Sequence, residues 1–370
     1  MAQEPVRAAD SRSGQSAPNR SRRDRRPPGP AFAAIDLGTN NCRMLVARRA
    51  PEGFRIIDSF SRIVRLGEGL NESGALSDAA MDRVVAALSV CAEKMERRRV
   101  EKSRCVATQA CRMATNGPDL MARIQSETGL EFDIITAEEE ARLSVLGCLD
   151  LMDESFETAL VVDIGGGSTE LSWVDLKVWG ERGGYASGGR PPVRTWASAP
   201  VGVVTLAERF PEHDDTQAWY GAMRDFAASQ LKTPKGARKL RRQFDDGRAH
   251  LIGTSGTITS VAGVHLNLPR YERAKVDGIW MSASDTLSAC NRLSAKDFAG
   301  RSAEPVIGSE RADLVLAGCA ILEAVMAAWP AERLRVGDRG LREGLLMNLM
   351  RKPRRRRSKR KPNTARKAAE

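Results

Sequence analysis

Paired cysteines, clustered histidines and long apolar runs are all missing from this chain of 370 residues. The seven cysteines (Cys42, Cys91, Cys105, Cys111, Cys148, Cys290 and Cys319) are scattered and never spaced C-x-x-C. That argues against a disulfide framework or a thiolate zinc site and predicts reduced thiols in a cytoplasmic protein. The three histidines, His213, His250 and His265, are not paired at helical spacing, so a histidine-built metal site or triad is not expected. Any catalytic metal is therefore expected on oxygen ligands. The longest apolar run near the end, LVLAGCAIL, stops at Glu323 after nine residues, well short of the roughly 20 that span a bilayer. The first residues carry charge from Glu4 onward and lack the apolar core of a secretory signal. No membrane contact is expected.

Charge is abundant but unevenly placed. Residues 351–370 hold eleven Lys or Arg and one Glu, and residues 1–30 hold seven Arg against three acids, so of the net +11 only −3 falls on residues 31–350. Both tails are poor in apolar residues and are expected to be disordered. The run RKPRRRRSKRKP attracts polyanions, and without aromatics it offers no stacking platform for single-stranded nucleic acid.

Between the tails, 42% hydrophobic content and strands alternating with helices give an α/β protein long enough for two domains. Residues 32–47 read as strand, tight turn and strand, and FRIIDSFSRIV as a third strand. Residues 77–98 read as a helix capped by Ser77. Strand-to-helix units follow in RCVATQACRMATN and EFDIITAEEEARLSVLGCL, and TALVVDIGGGSTELSWVDL is again strand, turn, strand. Residues 180–192 read as a flexible Gly/Pro excursion, AHLIGTSGTITSVAGVHL as strand, turn and helix, and 309–328 and 340–350 as helices. The pattern of the first domain restarts near residue 158, the sign of a duplication.

The repeated element is a turn. IDLGTN and VDIGGGST each end an apolar run in an aspartate, Asp36 and Asp163, followed by glycine and a hydroxyl residue. Glycines let backbone N–H groups converge on an anion, and Thr39 and Ser168 add hydroxyl donors. The aspartates at the strand ends are suited to Mg²⁺, which keeps several waters and needs few carboxylates. No Walker A loop occurs, and the element after each turn reads as a strand. One such turn is most simply a glycine-containing hairpin; two matched turns point to phosphate. A third turn, GTSGTITS (Gly253, Ser255, Gly256), suits an anion at a helix start or simple packing of helix on strand. Arg112 follows a strand, where a guanidinium fork suits phosphate oxygens or merely faces solvent. In ITAEEEARL, Thr136 and Glu139 fit a capping box, which leaves Glu140 free to point elsewhere.

Together IDLGTNNCRMLV, ATQACRMATN, EEEARL, DIGGGSTEL, GTSGTITSVAG, SERADLVLAGCAIL and GLREGLL resemble the exopolyphosphatase/guanosine pentaphosphate phosphohydrolase family, within the actin–Hsp70–sugar kinase superfamily, over about residues 33–348. The resemblance implies two ribonuclease-H-like (actin-like ATPase) domains with an interdomain cleft, at 31–147 and 148–350, with the last helix packing back on the first domain. It implies Mg²⁺-assisted hydrolysis of terminal phosphate from polyphosphate, or alternatively from pppGpp. By motif, Asp36, Gly38, Thr39 and Asn40 form one phosphate loop and Asp163, Gly165, Gly166, Gly167 and Ser168 the other. Arg112 matches a phosphate-contacting arginine and Glu140 the catalytic glutamate, with Glu139 as the other candidate base. Asn41-Cys42 and Ala137 depart from the family pattern, and the chain resembles a short form without a C-terminal His-Asp domain. A homodimer is expected, with the basic tails contacting polyphosphate or another polyanion. Other readings are a non-catalytic polyphosphate or nucleotide sensor and, less in keeping with EEEARL and GLREGLL, a sugar kinase.

Overall fold

A computed structural model of the chain describes residues 29–351 except 52, 186–189, 191 and 214–215. The tails 1–28 and 352–370, and part of the expected excursion at 180–192, lie outside the described residues. Two sheets are present. The first has the order β3–β2–β1–β4–β5, from β1 (Ala31–Leu37), β2 (Asn41–Ala50), β3 (Gly53–Ile63), β4 (Val100–Ala107) and β5 (Phe132–Ile134). β1 to β3 form an antiparallel meander, and β4 and β5 continue parallel to β1.

The second sheet repeats this plan. β6 (Thr158–Ile164), β7 (Thr169–Asp175) and β8 (Val193–Ala199) form the meander, and β9 (Ala249–Thr254) and β11 (Arg333–Gly337) the parallel pair. The order is β8–β7–β6–β9–β11, with β10 (Trp280–Ser282) added as an antiparallel edge. The duplication read from the two turns is thus two ribonuclease-H-like halves. The central strands match residue for residue. In both AFAAIDL and TALVVDI six positions are buried and only the aspartate is partly open, as expected of central strands covered on both faces.

Helices form where periodicity and caps agree. Ser77 accepts a hydrogen bond from the Ala80 N–H (3.3 Å) at the start of Asp78–Arg97, whose apolar side faces the first core. The apolar helix expected from 309 begins only at Val315 and runs to Ala328; 309–314 form turns instead. The last helix, Leu341–Met350, crosses back: Leu341, Leu345, Leu346 and Met350 pack with Phe32, Ala34 and Leu45 of the first half. It lies against helix Ala137–Gly147 so closely that a Cβ on Gly344 would fall 2.1 Å from the Leu143 carbonyl oxygen, an approach open only to glycine. These two crossing helices join the halves. The seven cysteines are free and buried. Among the described residues no helix is long and apolar enough to cross a membrane.

Candidate functional site

The two repeated turns face each other across the cleft, and their backbones match. Gly38 N–H donates to the Asn41 carbonyl (2.9 Å), and Gly165 N–H donates to the Ser168 carbonyl (2.9 Å). Those two donors close the turns, so Gly38 and Gly165, expected in the phosphate loops, shape them without offering their own N–H groups to a ligand. Thr39, Asn40, Gly166 and Gly167 N–H groups make no backbone hydrogen bond, so each turn offers two unpaired donors. Glycine is required at 166 for contact between the turns. A Cβ there would lie 2.9 Å from Thr39 Cβ and 3.1 Å from Asn40 N.

Asp36, Asp163, Glu140, Thr39, Asn40, Gly38, the glycines 165–167, Ser168, Ser255 and Gly256 all line this one cavity. Gly253 does not. It sits within β9, where a Cβ would meet Ile258 at 2.9 Å, so it serves strand-to-helix packing. Glu139 is also outside the cavity: its N–H caps onto Thr136 Oγ1 (3.2 Å), and its carboxylate accepts from Arg104 Nη2 (2.7 Å). Glu140, one position on, turns into the cleft, so geometry separates the two candidate bases.

Arg112 is brought to Glu140 and not to the cavity wall. Its Nη1 donates to Glu140 Oε2 (2.7 Å) and the Ile135 carbonyl (2.9 Å), and its Nη2 to Gln109 Oε1 (2.7 Å). It therefore fixes the glutamate's orientation. Burial, together with the nearby Glu170 carboxylate, raises the Glu140 pKa well above the usual carboxylate range, against the opposing pull of Arg112. Burial likewise raises Asp163, whose Oδ2 accepts from Ser144 Oγ (2.6 Å). Asp36 is pushed up to about 6 by burial, with Arg43 and Arg342 resisting.

Four candidate site residues were missed by sequence reasoning. Arg43, Arg311 and Arg342 line the cavity, and none has a salt bridge among those described. Three unpaired guanidiniums around one cavity form an anion site. The fourth, Glu170, lies directly across the β6–β7 ladder from Asp163 and is buried to 3% exposure. It accepts from Ser198 Oγ (2.9 Å), and burial next to Asp163 pushes its pKa up to about 7. Its one sequence signal was an acid directly after the Ser168-Thr169 pair of the second turn. Arg339 also borders the cavity, but its charge is spent on Asp277 and Asp150.

Ser255 has φ 96 and ψ 177 at the head of helix Gly256–His265, and its Oγ is buried without a partner. A non-glycine residue in this region is strained by roughly 1–3 kcal/mol.

Solved structures with the same fold are similar over nearly their whole length. An exopolyphosphatase-like protein is 26% identical, with 86% of this chain and 98% of that chain covered and a TM-score of 0.74. A Ppx/GppA family member from Aquifex aeolicus is 27% identical, with 86% and 97% covered and a TM-score of 0.68. An exopolyphosphatase from Cytophaga hutchinsonii shares the fold at 22% identity, with 86% and 97% covered and a TM-score of 0.73. Residues 45–353 match the Ppx/GppA phosphatase family. That match spans most of the chain, and the chain belongs to the Ppx/GppA phosphatase family.

Proposed function

We propose that this phosphatase hydrolyses the terminal phosphoanhydride bond of inorganic polyphosphate, with water as nucleophile and Glu140 as its base. One observation carries the reading: two matched turns with unpaired N–H donors meet at a cavity that also holds Glu140 and three unpaired arginines. The turns and Arg43, Arg311 and Arg342 bind the terminal phosphoryl oxygens and spread their charge. Glu140, held by Arg112, takes a proton from water as its oxygen bonds to phosphorus. The bridging P–O bond breaks, and the shortened chain leaves with the bonding electrons. No covalent nucleophile is involved.

Mg²⁺ is the proposed cofactor, and the donor set fits it: oxygen ligands only, on carboxylates that burial disfavours as bare anions. Asp163 and Asp36 would hold the ion, largely through its waters, with Glu170 behind them. Among the described residues no three His, Cys, Asp or Glu side chains form a ready metal cage. When bound, the ion neutralises charge on phosphoryl oxygens.

A second reading, hydrolysis of pppGpp, is favoured by the half-buried Leu314 in the same wall, which a base would cover and inorganic polyphosphate would not. Phosphate release from long-chain polyphosphate, pppGpp and ATP, measured side by side, decides between them. Release from none would favour a sensor. The Lys/Arg-rich 351–370 segment is assigned to the distal part of a long chain. Its deletion should weaken long-chain binding and flatten the salt dependence while sparing short chains. An unchanged salt slope would make it a bystander.

A further inference from the structure

Beside the cleft, behind Asn40, a second set of contacts joins the halves. Glu208, on helix Val203–Arg209, accepts from the Gly69 N–H (3.0 Å) and from Asn71 Nδ2 (3.1 Å). Arg65 Nη2 pairs with Asp313 Oδ2 at 3.0 Å. Arg65 and the Glu208 helix are each tied to one of the turns, and Asp313 lies just before helix Val315–Ala328, which packs against that same Val203–Arg209 helix. Val64 and Arg65 N–H groups donate to the Asn40 carbonyl (2.8 and 3.0 Å), and Gly67 N–H to the Thr39 carbonyl (2.9 Å). On the other side, Val203 N–H donates to the Gly165 carbonyl (3.0 Å) and Val204 N–H to the Gly166 carbonyl (2.8 Å). Arg65 holds a left-handed φ of 46, a conformation uncommon for a long side chain.

A continuous chain of contacts thus runs from the first turn through 64–71 and Glu208 to the second turn. We propose that Glu208 and the Arg65–Asp313 pair are positioning residues that set the spacing of the two phosphate turns. The inference rests on the reading of the turns as one phosphate clamp. The Arg65 and Asp313 side chains are 41% and 33% exposed, so their pairing is worth at most about 1 kcal/mol to the fold. Misplacing a reacting group by about 1 Å, in contrast, costs up to roughly 10²-fold in rate. Catalysis should therefore respond more than stability does.

The test measures kcat, KM and Tm for phosphate release in Glu208→Ala, Arg65→Asp, Asp313→Arg and the Arg65→Asp/Asp313→Arg double variant. Aspartate tolerates the left-handed backbone at 65. The single variants should lose roughly tenfold or more in kcat/KM with little change in Tm, and the charge-swapped pair should regain most of it. Spin labels at Asp119→Cys and Asp225→Cys, one on each half, give a readout independent of activity, since the native cysteines are buried. Glu208→Ala should broaden the interlabel distance distribution. Wild-type kinetics together with an unchanged distribution in Glu208→Ala overturns the proposal, as does a loss that follows Tm and is not rescued by the swap. Absence of phosphate release in the parent protein would instead overturn the catalytic reading, and the label distances would still decide the spacing.

Discussion

The two halves build the same turn and set opposite charges behind it. Asp36 lies across its ladder from Arg43, whereas Asp163 lies across from Glu170. The first half thus sets near its carboxylate a guanidinium with no salt bridge among those described, with Arg342 acting on that carboxylate as well. The second presents two buried carboxylates side by side, both raised by burial. Duplication supplied equal backbone donors on the two sides; one residue per strand then divided the labour. The first half is thereby weighted toward an anion and the second toward a cation shared with Asp36, and Glu140 reaches the cavity from the crossing helix between them.

The largest effect should come from removing what neither turn can supply. Glu140→Gln should cut kcat by roughly 10²–10⁴-fold while polyphosphate still binds. Near-normal turnover would displace Glu140 as the base, and Glu139, tied to Arg104, is not placed to substitute.

The division of labour itself is tested by paired substitutions. Asp163→Asn should raise the Mg²⁺ concentration needed for half-activation by at least the roughly 10–100-fold that even an outer-shell loss costs a metal site. Arg43→Met should shift that requirement far less and weaken substrate binding by about 1.5–3 kcal/mol, the worth of a charged hydrogen bond. If both variants change the Mg²⁺ requirement equally, the halves are not specialised.

The buried carboxylates of the two halves also predict a pH response. Glu170 is pushed from an ordinary 4.5 up to about 7 and Asp36 from 3.8 up to about 6. Between those limits the folded protein holds protons that the unfolded chain has released, so stability without divalent ion should fall as pH rises from about 4 to 7. Saturating Mg²⁺ should flatten that slope, because the ion replaces the protons. Denaturant midpoints across this range, with and without Mg²⁺, check the sign; a midpoint that climbs with pH in the ion-free protein would contradict it.

Legibility in the sequence followed the same division. The turns, their aspartates and Glu140 were readable because each sits in a short contiguous pattern, and the repeat of the turn exposed the duplicated fold. The arginines were not. In a chain with 58 Lys and Arg, Arg43, Arg311 and Arg342 look like any solvated cation until three distant segments converge. Arg311 was further hidden by its placement in an expected helix, whereas 309–314 are turns that carry it to the cavity. Arg112 was found by pattern, but its partner was not, since the Glu140 contact joins residues 28 positions apart. β8 went unread because VRTWASA is only half-buried and follows a glycine-rich stretch.

The smallest expected effect concerns the turns that follow the next strand of each half. After β4 the chain enters helix Gln109–Met113 through Thr108 at φ −117; after β9 it enters helix Gly256–His265 through Ser255 at φ 96. Only the second turn is strained, and only there is a hydroxyl buried without a partner beside the phosphate turns. Ser255→Gly removes strain worth roughly 1–3 kcal/mol against about 0.5–1 kcal/mol of added chain entropy, so the variant should be more stable by about 1 kcal/mol. It also removes a donor worth about 0.5–1.5 kcal/mol to a bound phosphate, so KM should rise severalfold. Stability and binding should thus move in opposite directions from a single hydroxymethyl group. A rise in stability with KM unchanged would take Ser255 out of the phosphate site and leave its strain without a use.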